Sequence, residues 1–255
     1  MKYYWYWLLA LFAACSNGGG GSAPPNPPPP VVLNASPGGV WIGTRPNGTD
    51  IIVLIDEAGE FRILDAFGNL AFGQMVVSNG TDVASSYLIA PPFGGSLFDG
   101  SDSAACNLSG TIVERQSIDY DIDCLSSLNT AFGGSIMLTY VPIYDMDSSI
   151  ARVAGMYDAQ GDVLTVDVSG AFFLQDSQTG CVANGQVSIL DPAWNMYGVN
   201  MTTGNCQGPS APLNGAQWVG LATIQTVPGA EAVIIGLTAD VNGLPVALVM
   251  ALPPI

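Results

Sequence analysis

Hydrophobic and polar residues alternate over short segments along most of this chain, and this pattern predicts β-strands. Residues 117–124 alternate strictly, so that Asp119, Asp121 and Asp123 share one face of the strand while apolar residues share the other. A continuous, largely β-branched run at residues 50–56 is typical of a buried strand. Similar runs lie at residues 136–141, 163–168, 187–190, 218–225, 232–238 and 245–252.

Turn-forming sequences separate these segments. Asn-Gly pairs stand at residues 47–48, 79–80 and 242–243, and a Gln-Gly pair stands at 160–161. No segment beyond residue 40 keeps an amphipathic helical period for more than about two turns. Many short strands with turns roughly every 8–12 residues are typical of antiparallel sandwiches and barrels. The sequence therefore predicts an all-β fold.

A similar spacing of cysteine and glycine residues occurs twice in the strand-rich region and indicates two lobes. Cys106 and Cys181 each begin the spacing Cys-x3-Gly-x-Ile/Val, and each is followed by a second cysteine, Cys124 or Cys206. The intervals between these landmarks differ, so the two halves are not a regular repeat. We expect two antiparallel β-barrel or sandwich lobes, preceded by a signal peptide and a glycine- and proline-rich linker.

The first residues have the composition of a secretory signal peptide. Lys2 precedes an apolar run of twelve residues, Tyr3 to Ala14, which is too short to span a bilayer as a helix. The run ends in Ala-Ala-Cys15, which resembles the lipobox of bacterial lipoproteins. The resemblance implies cleavage before Cys15 and lipidation of Cys15. Because the next residue is Ser16 and not aspartate, it also implies location at the outer membrane. The alternative is an ordinary signal peptide with a chance cysteine.

The linker combines two kinds of spacer. Residues 18–21 are glycines and should be flexible, whereas the prolines between residues 24 and 30 favour a stiff polyproline II segment. Such a tether would hold a folded body away from the membrane. The predicted domains are a signal peptide (1–14), the lipidated cysteine and linker (15–39), an N-terminal β lobe (40–147) and a C-terminal β-barrel lobe (148–255).

The charge balance excludes several function classes. The chain has 5 Lys+Arg against 21 Asp+Glu, a net charge of −16 and no histidine, which argues against nucleic-acid binding. Without histidine there is no Ser-His-Asp triad, no Cys-His dyad and no histidine-ligated zinc. Cleavage would remove Lys2, the one lysine, and with it any Schiff-base chemistry. Membrane attachment would then depend on the lipid at Cys15.

The four cysteines beyond Cys15 predict disulfides in an oxidising compartment. The simplest pairing joins Cys106 to Cys124 and Cys181 to Cys206, each within one lobe, although four cysteines allow three connectivities. Metal binding is the alternative, but the spacing lacks a Cys-x2-Cys pair. We expect no metal and no cofactor.

Structural glycines, aromatic residues and cysteines recur in a recognisable pattern along the body. They stand in residues 39–44, 54–61, 144–145, 153–157, Gly180-Cys181 with Cys206, and 218–222. In these segments the chain resembles a group of largely uncharacterised bacterial outer-membrane lipoproteins, and the resemblance brings no catalytic residue with it. Lysozyme-inhibitor lipoproteins and META-type domains are similar in style, by analogy of fold alone.

The acidic stripe Asp119, Asp121 and Asp123 is the most conspicuous candidate for binding. It is either a docking face for a cationic partner, a calcium site, or a solvated strand face. Oxygen-rich turns at residues 99–102 and 158–162 could also hold calcium, although ordinary turn chemistry explains them.

Aromatic residues and glutamates supply weaker candidates. The aromatic residues could line a ligand pocket or fill the core, and the glutamates could act as a catalytic pair or be surface groups. The aromatic set is Trp41, Trp194, Trp218, Tyr157 and Tyr197, and the glutamates are Glu57, Glu60, Glu114 and Glu231.

The sequence favours two classes of function, neither of them enzymatic, and leaves a carboxylate-pair enzyme as a distant third. The first is a lipid-anchored envelope protein that binds a cationic protein, such as a lysozyme-like hydrolase, because opposite charge steers encounter. The second is a small-ligand-binding or structural envelope lipoprotein. A cavity inside either lobe would favour a ligand, and two filled lobes would disfavour one.

Overall fold

The computed structural model describes residues 33–227 and 230–255. The predicted signal peptide, Cys15 and most of the predicted linker lie outside these residues. Within them, no helix is both long and apolar enough to cross a membrane.

The N-terminal lobe is a nine-stranded antiparallel sheet in the order β4-β3-β2-β1-β9-β8-β7-β6-β5. A further pairing, between β4 and β6, closes eight of these strands into a barrel, and β5 pairs with the other end of β6. The strands are β1 (Gly39–Thr44), β2 (Asp50–Ile55), β3 (Glu60–Asp65), β4 (Leu70–Gln74), β5 (Val76–Ser78), β6 (Asp82–Ala90), β7 (Ala104–Val113), β8 (Ser117–Ser126) and β9 (Ala131–Val141).

The C-terminal lobe is an eight-stranded antiparallel sheet whose strands follow chain order from β10 to β17. The sheet is curled, and two hydrogen bonds join its first strand to the tail after its last: Asp158 N donates to Pro253 O (2.9 Å) and Ile255 N donates to Met156 O (3.1 Å). The strands are β10 (Gly155–Ala159), β11 (Asp162–Val166), β12 (Ala171–Gln175), β13 (Val182–Ile189), β14 (Tyr197–Gly204), β15 (Gln217–Val227), β16 (Ala230–Val241) and β17 (Leu244–Leu252).

Helical structure is confined to short segments between strands. A 3-10 helix (Pro142–Asp145) and α1 (Ile150–Val153) connect the two lobes, and a second 3-10 helix (Gly208–Leu213) connects β14 to β15. The predicted lobe boundary at residue 147 falls in the connection between the lobes, after the first 3-10 helix and before α1. The prediction of an all-β fold with two lobes is confirmed.

Tight turns stand where the Asn-Gly and Gln-Gly pairs predict them. In the pairs at 79–80, 160–161 and 242–243 both residues have positive φ, from 50° to 98°. Two successive residues with positive φ match the right-handed twist of the flanking strands, and asparagine and glycine tolerate that conformation best. These short turns fix the register of the hairpins that they close.

The two lobes pack against each other through the outer faces of their sheets. Strands β2, β3 and β4 of the barrel contact β15, β16 and β17 of the curled sheet. Strand β3 is consequently buried from Phe61 to Asp65, including Arg62, because one face meets the barrel core and the other meets the second lobe. The buried residues of this contact include Val40, Leu54, Leu64, Leu70, Leu221, Ile234 and Ala247.

Both predicted disulfides are present. Cys106 and Cys124 stand opposite each other on β7 and β8, and Cys181 joins Cys206 across the start of β13 and the end of β14. Each bridge lies within one lobe, as the simplest pairing predicts. The disulfides therefore cross-link neighbouring strands within each lobe and do not link the two lobes.

Candidate functional site

One end of the N-terminal barrel is closed by its own side chains. Trp41 on β1 is fully buried, and its indole Nε1 donates to the carbonyl oxygen of Pro37 (3.2 Å). Its ring meets Tyr140 edge-on, with ring centroids 5.2 Å apart. Ala35, in the segment that leads into β1, packs against the same core. The described chain thus begins at the closed end of the barrel.

The opposite end of the barrel holds a cavity of about 270 Å³. It lies among the β1–β2 turn, the loop after β6 and the start of β9, and inward-facing residues of the barrel strands form its floor. These residues are almost all apolar, because every second residue of a barrel strand faces the interior. Ile51, Ile63, Ala71, Ile89, Ile136 and Phe132 are among them.

Tyr120 on β8 also contributes to the lining of this cavity. The side chain is on the strand face opposite the acidic stripe, is only 4% exposed, and its hydroxyl has no hydrogen-bond partner within the described part of the chain. Gly110 on β7 is its cross-strand neighbour, and a Cβ there would lie 2.0 Å from the carbonyl oxygen of Asp119. Glycine at this position therefore allows the backbones to approach beside the tyrosine.

A second tyrosine, Tyr87 on β6, reaches the same cavity. Burial raises the pKa of Tyr87 from 10.0 to about 12, although the nearby Arg45 charge opposes the shift. Burial likewise raises the pKa of Tyr120, and Tyr87 adds to that rise. At neutral pH both phenols consequently keep their protons and can donate hydrogen bonds. Neither tyrosine therefore brings an ionised group to the cavity at neutral pH.

Arg45 at the cavity rim is already paired. Its Nη1 lies 3.0 Å from Oδ2 of Asp65, a carboxylate whose side chain is 1% exposed. The same carboxylate accepts hydrogen bonds from the backbone amides of Phe67 (2.9 Å) and Asn69 (3.0 Å) in the β3–β4 turn. Arg45 and Asp65 therefore neutralise each other at the rim.

The outer rim of the cavity is aromatic. Phe98, in the loop between β6 and β7, is 72% exposed and meets Phe132 edge-on with ring centroids 5.1 Å apart. An exposed aromatic side chain beside an apolar opening is a surface on which an apolar molecule can rest before it enters. The route into the barrel thus passes apolar side chains.

The C-terminal lobe offers no comparable space in its core. The cavity among Val153, Leu164, Phe172 and their neighbours measures about 20 Å³, which is roughly the room that one water molecule needs. Large side chains fill the remainder. The C-terminal lobe does have an open pocket of about 230 Å³ between β10–β12 and β17, but its lining includes the polar side chains of Gln160, Asp162, Asp176 and Gln178. The two lobes thus differ in the character of their open spaces, because the cavity of the N-terminal barrel is mainly apolar.

The aromatic candidates from the sequence do not form a shared pocket. Trp218, Tyr157 and Tyr197 belong to the core of the C-terminal lobe, and Trp41 plugs the closed end of the N-terminal barrel. Trp194 is half-buried at the junction between the lobes. Their interpretation as core residues is confirmed for all but Trp194, and the cavity is built from other residues.

An aromatic and charged cluster joins the two lobes around Trp194. The Arg115 guanidinium carbon lies 4.1 Å from the centroid of the Trp194 ring, which stacks in turn on Tyr144 at 5.4 Å. Arg115 also donates to the Tyr140 hydroxyl (2.9 Å) and pairs with Asp145. Because these residues come from both sides of the lobe contact, the cluster helps to hold the two lobes together.

The four glutamates have structural partners. Ser36 donates its amide to Glu114 (3.1 Å) and its hydroxyl to Glu57 (2.5 Å), and Glu57 also accepts from the Tyr144 hydroxyl (2.9 Å). The other two glutamates, Glu60 and Glu231, form ion pairs with arginines. The expectation that the chain has no enzymatic activity stays a prediction.

The acidic stripe lies on the outer face of the barrel. Asp119, Asp121 and Asp123 are exposed on β8, and Asp121 accepts a hydrogen bond from the Ser135 hydroxyl on β9. The four arginines of the described residues pair with other acids, so none forms an ion pair with the stripe. The location fits a solvated strand face. Docking of a cationic protein there stays a prediction.

The oxygen-rich turns use their carboxylates to hold the local backbone. Asp99 accepts from the hydroxyls of Ser101 (2.6 Å) and Ser126 (2.5 Å), and these bonds lower the pKa of Asp99. Asp158 accepts from the amide of Gly161 (2.7 Å) in the β10–β11 turn. Among residues 33–227 and 230–255, no group of three or more potential metal ligands is arranged around a common point.

One residue in the sequence signals the interior of the N-terminal barrel. Tyr120 falls on the apolar face of the strictly alternating strand, where a hydroxyl needs a partner that an aliphatic residue would not need. The other lining residues come from strands and loops far apart in the chain. The sequence pattern gives no measure of the space that they leave between them.

No protein-family model matches the chain. No curated protein matches it either. Among solved structures, the chain is similar to a candidate outer membrane protein of Bacteroides fragilis, with 12% identity over 85% of this chain and 95% of that chain, and a TM-score of 0.23. A TM-score this low does not establish a shared fold.

Proposed function

We propose that this chain is a non-enzymatic, lipid-anchored protein of the bacterial cell envelope whose N-terminal barrel binds a small, mainly apolar ligand. The observation that carries the proposal is the cavity of about 270 Å³ at the open end of that barrel. Ligand pockets of roughly 300–1,000 Å³ are lined by apolar side chains with a few placed polar groups, and this cavity has that kind of lining with a volume just below the range.

The contrast between the two lobes favours a ligand over a purely structural role. A barrel built only for stability would be filled, because each buried void forfeits packing contacts. The core of the C-terminal lobe is filled in this way, with about 20 Å³ left, and the larger pocket of that lobe, about 230 Å³, is lined partly by polar side chains. The N-terminal barrel keeps more than ten times the former volume together with a buried hydroxyl.

The cavity also favours small-ligand binding over capture of a cationic protein. Its lining is apolar, and its rim charge, Arg45, is neutralised by Asp65. A basic protein would instead dock on the exposed stripe, whose position on the outer face of β8 fits a solvated strand face. The small-ligand class is therefore the better supported of the two.

Binding can be tested by titration calorimetry of the full-length protein with 2-acetylnaphthalene, a two-ring molecule of suitable size. The matched variant is Ala71→Leu, which adds apolar atoms to the cavity floor at a position that is almost fully buried. Because one or two methylenes in a pocket change affinity by roughly 10–200-fold, we expect at least about tenfold weaker binding in this variant. Ala151→Phe, an exposed site on α1, is the control.

Two calorimetric results would contradict ligand binding in this cavity. Unsaturable heats with the unmodified protein would mean that the cavity does not take such a ligand. Equal affinity in the unmodified protein and Ala71→Leu would place any bound ligand elsewhere. A melting curve of each variant shows whether it is folded at the temperature of the titration.

The envelope part of the proposal rests on the leader and the disulfides. The predicted signal peptide, residues 1–14, ends directly before Cys15 in a sequence that resembles a lipobox, and the two disulfides suit an oxidising compartment. Because the mature chain would have no lysine and few arginines, adsorption to anionic lipid through a basic patch is excluded as a means of attachment. The lipid on Cys15 would be the anchor.

We expect Cys15→Ser to move the protein from the membrane fraction to the soluble fraction of cells that express it. The reason is that removal of the acylated thiol removes the only proposed anchor. Fractionation followed by immunoblotting measures the distribution, and Ser16→Ala is the matched control that keeps the cysteine. Retention of Cys15→Ser in the membrane fraction would overturn lipid anchoring.

A further inference from the structure

We infer that Asp65 makes the mouth of the N-terminal barrel select uncharged ligands over carboxylates, because it holds the Arg45 guanidinium in an ion pair. Arg45 lines the cavity, whereas Asp65 stands at the end of β3 and acts through Arg45. Asp65 is thus a positioning residue for the mouth. This inference rests on the proposed function, since it concerns the class of ligand that the same cavity takes.

Asp65 is a buried carboxylate that is fixed by hydrogen bonds on both of its oxygens. Oδ1 accepts from the backbone amides of Phe67 (2.9 Å) and Asn69 (3.0 Å). Oδ2 accepts from the side-chain amide of Asn69 (3.1 Å) and from Arg45 Nη1 (3.0 Å). A carboxylate that is only 1% exposed is costly unless a cation pairs with it. The β3–β4 turn therefore keeps the partner of Arg45 in one place.

Arg45 is held at the mouth by its backbone as well as by its side chain. Its amide donates to Thr49 O (2.8 Å) and its carbonyl oxygen accepts from Gly48 N (2.8 Å) in the β1–β2 turn. Its charge also acts on the interior: burial raises the pKa of Tyr87 and of Tyr120, and the Arg45 charge opposes both rises. An unpaired Arg45 would therefore present a positive charge to a ligand in the cavity.

The ion pair changes what a ligand with a carboxylate would meet at the mouth. A guanidinium without a partner binds carboxylates strongly, through up to two parallel hydrogen bonds. Next to Asp65, the same guanidinium attracts an incoming carboxylate while Asp65 repels it, so the two effects offset each other. The other described residues that line the cavity include no cation. An uncharged apolar molecule loses nothing by this arrangement.

Two molecules of nearly equal shape test the selection: 2-acetylnaphthalene and 2-naphthoate. The first ends in a neutral acetyl group, and the second has a carboxylate in its place. We expect the unmodified full-length protein to bind 2-acetylnaphthalene at least about tenfold more tightly, because the carboxylate would lose hydration without gaining an unpaired cation. Titration calorimetry at neutral pH measures both affinities, and their ratio is the selectivity.

Asp65→Asn tests whether Asp65 causes this selectivity. The amide keeps an oxygen that can accept from Phe67 and Asn69, but it has no charge to neutralise Arg45. We expect the selectivity to fall by about tenfold, through tighter binding of 2-naphthoate. Adding Arg45→Met to this variant removes the unpaired guanidinium and restores the net charge of the unmodified protein. The double variant should therefore regain the selectivity.

Glu231→Gln is the matched control, because it releases an arginine in the other lobe. Arg152 Nη2 lies 3.0 Å from Glu231 Oε1, and the Arg152 side chain is 21% exposed, the same fraction as that of Arg45. The substitution changes the net charge of the protein by the same amount as Asp65→Asn. This control should keep the selectivity of the unmodified protein. A melting curve shows whether each variant is folded at the temperature of the titration.

The outcomes distinguish the inference from the proposed function. Equal affinity of the unmodified protein for the two molecules would overturn the inference without any variant, and it would leave the cavity as a ligand site. Unchanged selectivity in folded Asp65→Asn, or an equal fall in Glu231→Gln, would also overturn the inference. Saturable binding of neither molecule by the unmodified protein would instead contradict the proposed function itself.

Discussion

At the scale of single residues, the tyrosines of the N-terminal barrel couple the stability of the protein to pH. Burial raises the pKa of Tyr87 from 10.0 to about 12, because the phenolate would lose its hydration inside the barrel. A raised pKa in the folded state means that the neutral phenol stabilises the fold. This contribution is fully present below the pKa of the unfolded chain and is lost as the pH rises through the folded pKa.

We therefore expect alkaline pH to destabilise the protein between about pH 10 and pH 12, and Tyr87→Phe to reduce that loss. The variant has no phenol at this position to ionise on unfolding. Urea unfolding at neutral pH and within this alkaline window measures the effect, with each protein compared with its own neutral value. If both proteins lost the same unfolding free energy, Tyr87 would not be a source of the effect.

Residue identity alone could predict part of this site. The period-2 pattern places Tyr120 inside and Asp119, Asp121 and Asp123 outside, and the structure agrees. That the Tyr120 hydroxyl has no hydrogen-bond partner among the described residues could not be predicted, because its neighbours come from other strands and from loops. The pairing of Arg45 with Asp65 could not be predicted either, since it depends on how the β1–β2 turn approaches the β3–β4 turn.

At the scale of strands, two sequence patterns lead to two different environments. The alternating β8 has one face in the barrel and one in solvent, whereas the continuous apolar run of β2 lies between the barrel core and the second lobe. Period and β-branching were sufficient to predict both strands. They could not show that β4 would pair with β6 and close the barrel, because closure depends on the curvature of the whole sheet.

The two disulfides occupy unequal environments. Cys106 and Cys124 are both buried in the core of the barrel, whereas Cys181 is only half-buried at the start of β13. A thiol reductant must reach a sulfur atom to exchange with it, so the accessible bridge reacts first. The cysteine spacing predicts the pairing of both bridges but not this difference.

We expect a low concentration of dithiothreitol to open Cys181–Cys206 well before Cys106–Cys124. Timed alkylation followed by peptide mass spectrometry identifies which thiols appear first. The variant Cys181→Ala with Cys206→Ala is the control, because it leaves only the buried bridge to react in the body. Simultaneous opening of both bridges in the unmodified protein would contradict the assigned difference in access.

At the scale of the whole molecule, a buried amide helps to hold the two lobes together. The Asn195 side chain donates to the carbonyl oxygens of Ile143 (3.1 Å) and Ile224 (2.7 Å), and its Oδ1 accepts from the Ile224 amide (3.2 Å). These bonds tie the connection between the lobes to β15. A satisfied buried network of this kind fixes one arrangement of the packed elements.

The sequence could predict two lobes but not their contact. Internal spacing of cysteines and glycines marks the halves, and the predicted boundary lies in the connection between β9 and β10. The contact instead depends on apolar residues that face outward from each sheet, such as Leu54 and Ile234. Within a run of apolar residues, periodicity does not distinguish those that face the interior of a lobe from those that face its partner.

The most direct test of a ligand site in the N-terminal barrel is to locate the bound molecule. Isoleucine-methyl NMR of the full-length protein during titration with 2-acetylnaphthalene reports on both lobes at once. We expect saturable shifts at cavity residues Ile51, Ile63, Ile89 and Ile136, and unchanged signals at Ile224 and Ile235 in the filled C-terminal core. Shifts centred on the C-terminal pair, or no saturable shift at all, would contradict ligand binding in the N-terminal barrel.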